Sequence, residues 1–426
     1  MSTRAIVGIN WGDEGKGRMV DLIAGDYDYV VRYQGGNNAG HTVVNPYGKF
    51  VLNLFPSGIF NPGVTNVLGN GMVIDIEHLV HEHQKLEEAG FKVDDSRLLI
   101  SDRAIICFPF HRLLDELQED SLGGRKFGST RRGIAFVYGD KYMKKGIQMG
   151  ELLLGEAHLR SRIIPLVEEK NLLIEKVYGG QPVDAEEMVQ WALNYGGKLK
   201  PFIKDTGLIL AQAIANGKSV LFEAQLGALR DVEFGIYPYT SSSLPIAAYA
   251  PIGAGIPGAK LDSVLGIIKA YSSCVGEGPF TCEMFGEAAD QLRQSGAEYG
   301  AATGRPRRVG GFDVVASRYG VRVQAATELA LTKLDILSPM KQIPVCTAYK
   351  YKGELLHDFP FPGILDDCEP VVEYWDGWNC DISGVRTFAD LPQAARDYVL
   401  KIEQLMSCPV TYISVGAERD AIIRRG

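Results

Sequence analysis

The chain has 426 residues, of which 46% are hydrophobic and 23% charged, a balance typical of a globular protein with a large core. Its formal net charge of −8 argues against a general nucleic-acid-binding surface. No apolar run approaches the roughly 20 residues that span a bilayer, no signal peptide is recognisable, and the seven scattered cysteines are typical of a reducing compartment. We therefore expect a cytoplasmic protein without a membrane partner.

The N-terminal third alternates apolar runs with glycine-rich corners. The first predicted strand covers residues 4–9 and leads through a glycine-rich corner into a helix that ends near residue 24. The remaining predicted elements of this third are strands at residues 29–33, 50–55, 66–75 and 98–102, a helix at 77–89, and a basic loop at 123–133.

The rest of the chain divides into a helical part and a return to strands. Residues 151–217 are rich in Leu, Glu, Lys and Ala at helical spacing and predict a helical excursion. Further core strands are predicted at residues 219–224, 264–271, 328–334 and 410–414. Without repeats or linkers, residues 1–426 predict a single α/β domain. Its central sheet is large, mostly parallel and flanked by helices, as in P-loop NTPases.

The corner after the first strand has the context of a phosphate-binding loop, namely strand, glycine-rich turn and helix. Gly15 and Lys16 fit that motif, but Gly17 stands where a magnesium-binding Ser or Thr is usual, and Asp13 places an acid in the loop. The glycines alone would equally fit a tightly packed corner.

The next corner, residues 34–42, gathers amides, small residues and His41. In a parallel sheet both corners fall at the carboxyl edge, where ligands bind. We expect Asp13 and His41 on this exposed loop edge as a candidate base and acid, although a histidine alone is more often structural.

The segment Thr332-Lys333-Leu334-Asp335 matches a pattern that recognises guanine. The carboxylate of Asp335 would accept from the guanine N1–H and amino group, and the stem of Lys333 would cover the ring. Taken alone, the same four residues would fit a strand end with solvated charges.

Two further clusters suit anionic ligands. Arg305, Arg307 and Arg308 can form bidentate contacts with carboxylate or phosphate, or simply a solvated basic turn. Gln225, at the end of a strand, and the hydroxyl-rich corner at residues 240–243 offer donors to a phosphoryl oxygen. Gln225 is equally consistent with an ordinary polar residue at a strand end.

Taken together, these segments resemble the adenylosuccinate synthetase family in order and spacing. The resemblance is carried by residues 12–17, 36–42, 303–308 and 332–335, and it extends to 414–416. It implies a GTP-dependent ligase of purine (AMP) biosynthesis. The γ-phosphoryl group of GTP would move to O6 of IMP, and the amino group of L-aspartate would then displace that phosphate from C6.

The resemblance also implies roles for individual residues. Asp13 would be the base and, with the backbone oxygen of Gly40, a Mg²⁺ ligand; His41 would be the acid, and Lys16 and Gln225 would complete the catalytic set. The implied GTP contacts are Gly12, Asp13, Glu14, Gly15, Lys16, Gly17, Arg18, Gly40, His41, Thr42, Arg307, Lys333, Leu334, Asp335, Ser414, Val415 and Gly416.

The other two substrates have their own implied contacts. For IMP these are Asp13, Lys16, Asn38, Ala39, Gly40, His41, Thr130, Lys144, Gln225, Ser241 and Arg305. For L-aspartate they are Ala301, Ala302, Thr303, Gly304, Arg305 and Arg307. The family forms homodimers in which a basic residue reaches the neighbour's nucleotide, and Lys144 occupies that position.

The sequence departs from the family pattern at four positions. Lys144 replaces a usual Arg, Ala302 a Thr and Arg131 a Gly, while the catalytic amide, Gln225, comes one position early and leaves Leu226 in its place. These departures bear on the contacts to IMP and aspartate.

Two other functions remain open from the residues. A regulatory GTPase would need Ser or Thr at position 17 and no Asp13–His41 pair. A sister ligase that accepts a 2-amino purine nucleotide such as dGMP typically lacks the base at Asp13.

Overall fold

The computed structural model describes residues 2–300, 304 and 306–425. The strands are β1 (Thr3–Gly8), β2 (Tyr29–Arg32), β3 (His41–Asn45), β4 (Gly48–Leu52), β5 (Thr65–Leu68), β6 (Val73–Ile74), β7 (Leu98–Ser101), β8 (Ile105–Ile106), β9 (Ile203–Lys204), β10 (Val220–Glu223), β11 (Ser263–Lys269), β12 (Ser272–Cys274), β13 (Arg308–Gly310), β14 (Phe312–Asp313), β15 (Glu328–Thr332), β16 (Gln342–Tyr351), β17 (Glu354–Leu356), β18 (Glu369–Asp376), β19 (Val410–Ser414) and β20 (Ile422–Arg424).

The α-helices lie between these strands or groups of strands, with four helices in succession between β8 and β9. They are α1 (Lys16–Ile23), α2 (Ile76–Glu88), α3 (Pro109–Ser121), α4 (Ile134–Tyr142), α5 (Glu156–Leu172), α6 (Ala185–Leu199), α7 (Thr206–Ala215), α8 (Ala250–Gly253), α9 (Glu287–Ser295), α10 (Val314–Gln324) and α11 (Gln393–Met406).

A ten-stranded sheet forms the centre, in the order β20-β19-β15-β11-β1-β10-β2-β5-β7-β9. Among the described residues its pairings are parallel except for the edge pair β19–β20. Strand β10 is buried along its whole length and β1 nearly so, since helices cover both faces of a parallel sheet. The predicted α/β class and large, mostly parallel sheet are confirmed.

The sheet order decides where the loops meet. Strands β1, β2, β10, β15 and β19 run parallel, so all five end at the same edge of the sheet. The segments that follow them carry the predicted phosphate loop, the His41 corner, Gln225, the Lys333 segment and residues 414–416. The fold therefore gathers five distant parts of the sequence at one site.

Some element predictions were wrong in detail. Residues 151–217 are mostly helical, but they include a loop at residues 178–184 and β9, which adds a short strand to the edge of the central sheet. Residues 66–75 form two strands, β5 and β6, rather than one. The strand predicted at residues 50–55 stops at Leu52, because the next two backbone N–H groups donate to the carboxylate of Glu82, at 2.7 and 2.9 Å, instead of to a neighbouring strand.

The predicted strand at residues 328–334 also ends early, at Thr332, because Lys333 adopts a left-handed conformation with φ of 59°. Within the described part of the chain, no helix is long and apolar enough to cross a membrane.

Candidate active site

The loop between β1 and α1 is organised around a buried carboxylate. Glu14 is 3% exposed, and its Oε1 accepts hydrogen bonds from the backbone N–H groups of Asn10 (3.1 Å) and Gly12 (2.8 Å). Its Oε2 lies 2.7 Å from Nζ of Lys16. Glu14 thus stabilises the loop from its buried side. Asp13 lies on the outside, with its side chain 38% exposed and its φ at 57°.

Helix α1 begins at Lys16 with its N-terminus facing this loop, and none of the described side chains caps its first turn. Uncapped N–H groups at a helix start can bind a phosphate. Position 17 has no room for the usual Ser or Thr. A Cβ there would lie 2.7 Å from the Cβ of His41 and 3.0 Å from Oγ of Ser57. Gly17 therefore allows the His41 strand to pack directly against α1.

His41 lies in the interior, so the expectation that it occupies an exposed edge was wrong. It is 7% exposed, and its Nδ1 lies 2.6 Å from Oε1 of Glu223, which is completely buried. Ser57 donates to the same oxygen through its Oγ (2.7 Å) and to the other oxygen, Oε2, through its backbone N–H (2.8 Å). Burial lowers the pKa of His41 despite the opposing influence of Glu223. Burial also acts to raise the pKa of Glu223, but the hydrogen bond to His41 and the positive charge of Arg32 bring it below its ordinary value.

Gln225 is also buried, and its amide has a defined orientation. Arg32 Nη2 donates to Gln225 Oε1 at 2.5 Å, while Gln225 Nε2 donates to Asn38 Oδ1 at 3.1 Å. A guanidinium can only donate, so the amide oxygen must face Arg32 and the NH₂ group must face Asn38. Gly35 makes room for this amide, because a Cβ there would lie 1.1 Å from Gln225 Nε2. Leu226, the next residue, is half-buried with φ of 62°.

Arg307 connects the phosphate loop to a second buried carboxylate. Its Nη2 lies 2.9 Å from Oδ2 of Asp13, and its Nη1 lies 2.7 Å from Oε2 of Glu298. Oε1 of Glu298 is also 2.8 Å from Nζ of Lys333. The structure therefore brings Asp13, Arg307 and Lys333, which are far apart in sequence, into one connected group.

The predicted guanine pocket contains an unused acceptor. In the described part of the chain, Asp335 Oδ1 is buried and accepts no hydrogen bond, and burial raises the pKa of Asp335. Arg18, whose pKa burial lowers to about 10, donates to Ser414 across the same region. A buried carboxylate oxygen without a donor fits a base that supplies N–H groups. The side chains of Leu334 and Val415 lie instead in the hydrophobic core, so only their backbone atoms can line a pocket.

Several residues predicted to bind substrates make no described contact with the connected group of Asp13, Arg307 and Lys333. Thr130 and Lys144 are exposed, and among the described residues neither side chain makes a hydrogen bond or ion pair. Ser241 Oγ lies 2.8 Å from Ser243 Oγ, and Gly304 is exposed with φ of 65°. The remaining aspartate-site predictions lie outside the described residues: Ala301, Ala302, Thr303 and Arg305.

Among the described residues, four buried charged side chains near the site were not predicted, namely Arg32, Glu223, Lys269 and Glu298. A signal existed for Arg32, Glu223 and Lys269, since each is the single charge at the end of a mostly apolar strand. A charge buried on a central strand must be paired. Glu298 stands in a polar stretch between α9 and β13, where nothing in the sequence distinguishes it from a solvated glutamate.

The carboxylate oxygens of Asp13 are suitable ligands for a hard cation such as Mg²⁺. Within residues 2–300, 304 and 306–425, no group of three or more His, Cys, Asp or Glu side chains forms a ready-made metal site. Mg²⁺ is usually held by one or two protein oxygens together with substrate phosphates and water. An exposed carboxylate at the mouth of a phosphate loop fits that requirement.

Comparisons with known proteins agree on one family. The family profile for adenylosuccinate synthetase matches residues 5–423. The adenylosuccinate synthetases of Acetivibrio thermocellus and Halothermothrix orenii are each 45% identical to this chain, over 424 and 426 residues. These alignments cover 99% and 100% of the chain and 99% of each relative.

Solved structures give the same result. The fully ligated adenylosuccinate synthetase from Plasmodium falciparum superposes with a TM-score of 0.94 at 35% identity, covering 100% of both chains. The succinoaminodeoxyadenylate synthetase of cyanophage S-2L, bound to dGMP and dATP, gives a TM-score of 0.59 at 18% identity. That match covers 99% of this chain and 95% of the phage protein, and it is a likeness of fold alone.

Proposed function

The chain belongs to the adenylosuccinate synthetase family, and on that premise we propose how its residues divide the work of the reaction. It is a GTP-dependent ligase of purine biosynthesis that joins IMP and L-aspartate to form adenylosuccinate through 6-phosphoryl-IMP. Family membership decides against the regulatory GTPase, and the far lower identity to the phage enzyme disfavours the sister ligase.

In the first step, Asp13 takes the N1 proton of IMP while O6 attacks the γ-phosphorus of GTP and GDP leaves. The observation that carries this assignment is the exposure of Asp13 beside Arg307 in a loop whose other acid, Glu14, is buried and paired. His41 in its protonated form donates from Nε2 to the transferring oxygen, since its Nδ1–H is directed at the carboxylate of Glu223. Lys16 and the N-terminus of α1 hold the phosphates, and phosphoryl transfer depends chiefly on such positioning.

In the second step, the amino group of L-aspartate attacks C6 and phosphate leaves. We assign its carboxylates to residues 301–305 and to Arg307. Gln225 donates from its NH₂ group to the 6-phosphoryl group, with Asn38, Thr130 and Ser241 completing the IMP site. Lys333 covers the guanine ring and Asp335 reads its N–H groups.

Three further assignments follow from the family. Asp13 and the backbone oxygen of Gly40 would hold Mg²⁺, which supplies charge neutralisation for the transferred phosphoryl group. The enzyme would act as a homodimer in which the exposed Lys144 reaches the partner's nucleotide. We also propose a cytoplasmic location, with GTP, IMP and L-aspartate as small-molecule partners and without a nucleic-acid or membrane partner.

Two assays test this assignment. Adenylosuccinate absorbance should appear only when GTP, IMP, L-aspartate and Mg²⁺ are all present. The first step is tested separately, with GTP carrying ¹⁸O in the β,γ bridge and IMP but no aspartate. Reversible phosphoryl transfer to O6 scrambles that label, and Asp13→Ala should abolish the scrambling. Scrambling at the wild-type rate in Asp13→Ala would remove Asp13 as the base.

A further inference from the structure

Glu298 is a buried carboxylate that contacts three cationic side chains. The side chain is fully buried, and its Oε1 contacts Nζ of Lys269 (2.9 Å), the hydroxyl of Tyr271 (2.5 Å) and Nζ of Lys333 (2.8 Å). Its Oε2 contacts Nη1 of Arg307 (2.7 Å) and, more distantly, Nζ of Lys269 (3.2 Å). One carboxylate thus serves three cations that come from three separate segments of the chain.

The three cationic side chains differ in their other contacts. Lys269 is itself buried, and its other partner is Ser273 Oγ at 2.5 Å. Arg307 and Lys333 lie closer to the substrate sites: Arg307 Nη2 contacts Asp13 at 2.9 Å, and Lys333 belongs to the guanine segment. Glu298 therefore joins a residue that faces the phosphate loop to a residue that faces the base.

The planar carboxylate makes these two contacts interdependent. Lys333 contacts Oε1 and Arg307 contacts Oε2 of the same rigid group, so a shift of the carboxylate at one contact also shifts the other. A ligand that fixes Lys333 fixes the carboxylate and prepares Arg307 for its own ligand. By thermodynamic linkage, the effect must be the same in the opposite direction.

We propose that Glu298 is a positioning residue that couples guanine binding at Lys333 to aspartate binding at Arg307. The inference rests on the proposed function for the assignment of those two cations to GTP and L-aspartate. It adds a residue that touches neither substrate and determines how strongly each one promotes the binding of the other.

The test measures the dissociation constant of a non-hydrolysable GTP analogue in the presence of IMP, with and without saturating L-aspartate. In the wild-type enzyme, aspartate should tighten the analogue at least about fivefold, the low end of typical coupling. Glu298→Gln should reduce that factor to about one. The matched control, Lys269→Met, removes another buried partner of the same carboxylate and should keep the factor. The proposal is overturned if L-aspartate does not tighten binding of the analogue in the wild-type enzyme. It is also overturned if the tightening persists in Glu298→Gln or is lost in Lys269→Met.

Two additions keep the result interpretable. If Glu298→Gln does not fold, the double variant Glu298→Gln/Lys269→Met removes a buried negative and a buried positive charge together, and it should likewise show a factor of about one. Arg307→Met and Lys333→Met test the underlying assignments, since they should weaken aspartate and GTP-analogue binding respectively. If neither does, the proposed function fails. If both do while Glu298→Gln keeps the factor, only the coupling role fails.

Discussion

The imidazole of His41 and the carboxylate of Glu223 lie 2.6 Å apart, from Nδ1 to Oε1, with 7% and 0% of their side chains exposed. A carboxylate on Nδ1 fixes the orientation of the ring and leaves Nε2 as the nitrogen available to a substrate. Because Gly17 admits the histidine against α1, the pair sits directly beside the helix that is expected to bind phosphate.

The first prediction concerns the acid and the base. Asp13→Ala and His41→Asn should each lower kcat by at least about 100-fold, the usual effect of removing an acid–base group. His41→Asn should also lower the melting temperature more than Asp13→Ala does, because His41 is buried and paired with Glu223 whereas Asp13 is exposed. Steady-state kinetics and thermal unfolding measure the two effects. The exposed Asp26→Ala serves as control. Near wild-type turnover in Asp13→Ala would contradict the mechanism.

The second prediction concerns the catalytic amide, which is supplied by Gln225, one position earlier than in the family pattern. Gln225→Ala should lower kcat by about 10²–10³-fold, as expected for the loss of a donor to a developing charge. Leu226→Ala should change kcat less than about threefold, since its half-buried side chain offers no donor. Measuring both variants under saturating substrates decides which position faces the phosphoryl group. A large effect at position 226 with little effect at 225 would reverse the assignment.

The third prediction concerns assembly. If Lys144 completes the neighbour's site, mixing inactive Lys144→Ala and inactive Asp13→Ala subunits should restore activity, because a mixed dimer holds one intact site and one doubly defective site. Random exchange should give about a quarter of the wild-type activity, since half of the dimers are mixed and each has one of two sites intact. The measurement is specific activity after confirmed subunit exchange. No rescue would mean that Lys144 acts within its own chain or not at all.

The fourth prediction links a buried histidine to the pH dependence of stability. His111 is 1% exposed, its Nδ1 accepts from the backbone N–H of Phe108 (2.9 Å), and its Nε2 faces Asp140 (2.9 Å). Burial lowers the pKa of His111 below its ordinary 6.5. Below that pH the unfolded chain binds a proton that the native protein does not, so the free energy of unfolding falls until the lower native pKa is reached.

The measurement is urea denaturation between about pH 7 and pH 5. His111→Gln keeps an acceptor for the Phe108 N–H and does not titrate, so it should reduce the pH slope by up to about 1.4 kcal/mol per pH unit. His357→Gln, at an exposed histidine, should leave the slope unchanged. An unchanged slope in His111→Gln would show that this histidine does not contribute.

The fifth prediction tests base recognition. Asp335 should accept two hydrogen bonds from guanine, each contributing about 1.5–3 kcal/mol. Asp335→Asn places a donor opposite one guanine N–H, whereas xanthine has a carbonyl where guanine has its amino group. The variant should lose GTP affinity and gain use of XTP, with the KM for IMP little changed. Comparison of kcat/KM for GTP, ATP and XTP checks this. A retained preference for GTP would place base recognition elsewhere.

The sequence by itself was enough for the family, the α/β class and the large parallel sheet. Apolar runs separated by glycine-rich corners predict buried parallel strands, and strand ends at one edge of such a sheet predict a shared site. The residues at those ends, Asp13, His41, Gln225 and Lys333, could be nominated because their motifs lie within a few positions of a strand.

Only the tertiary structure decided which of these side chains are held by which partners. Glu298 and Lys333 are distant in sequence, as are His41 and Glu223, and their pairing depends on strand order and on burial, which local patterns do not encode. The exposed Asp13 and the buried Glu14 are adjacent residues of the same charge, and the difference between them arises from the path of the loop. Charged side chains lose their hydration on burial and must find partners across the whole fold, so their roles are fixed by the assembled sheet rather than by sequence spacing.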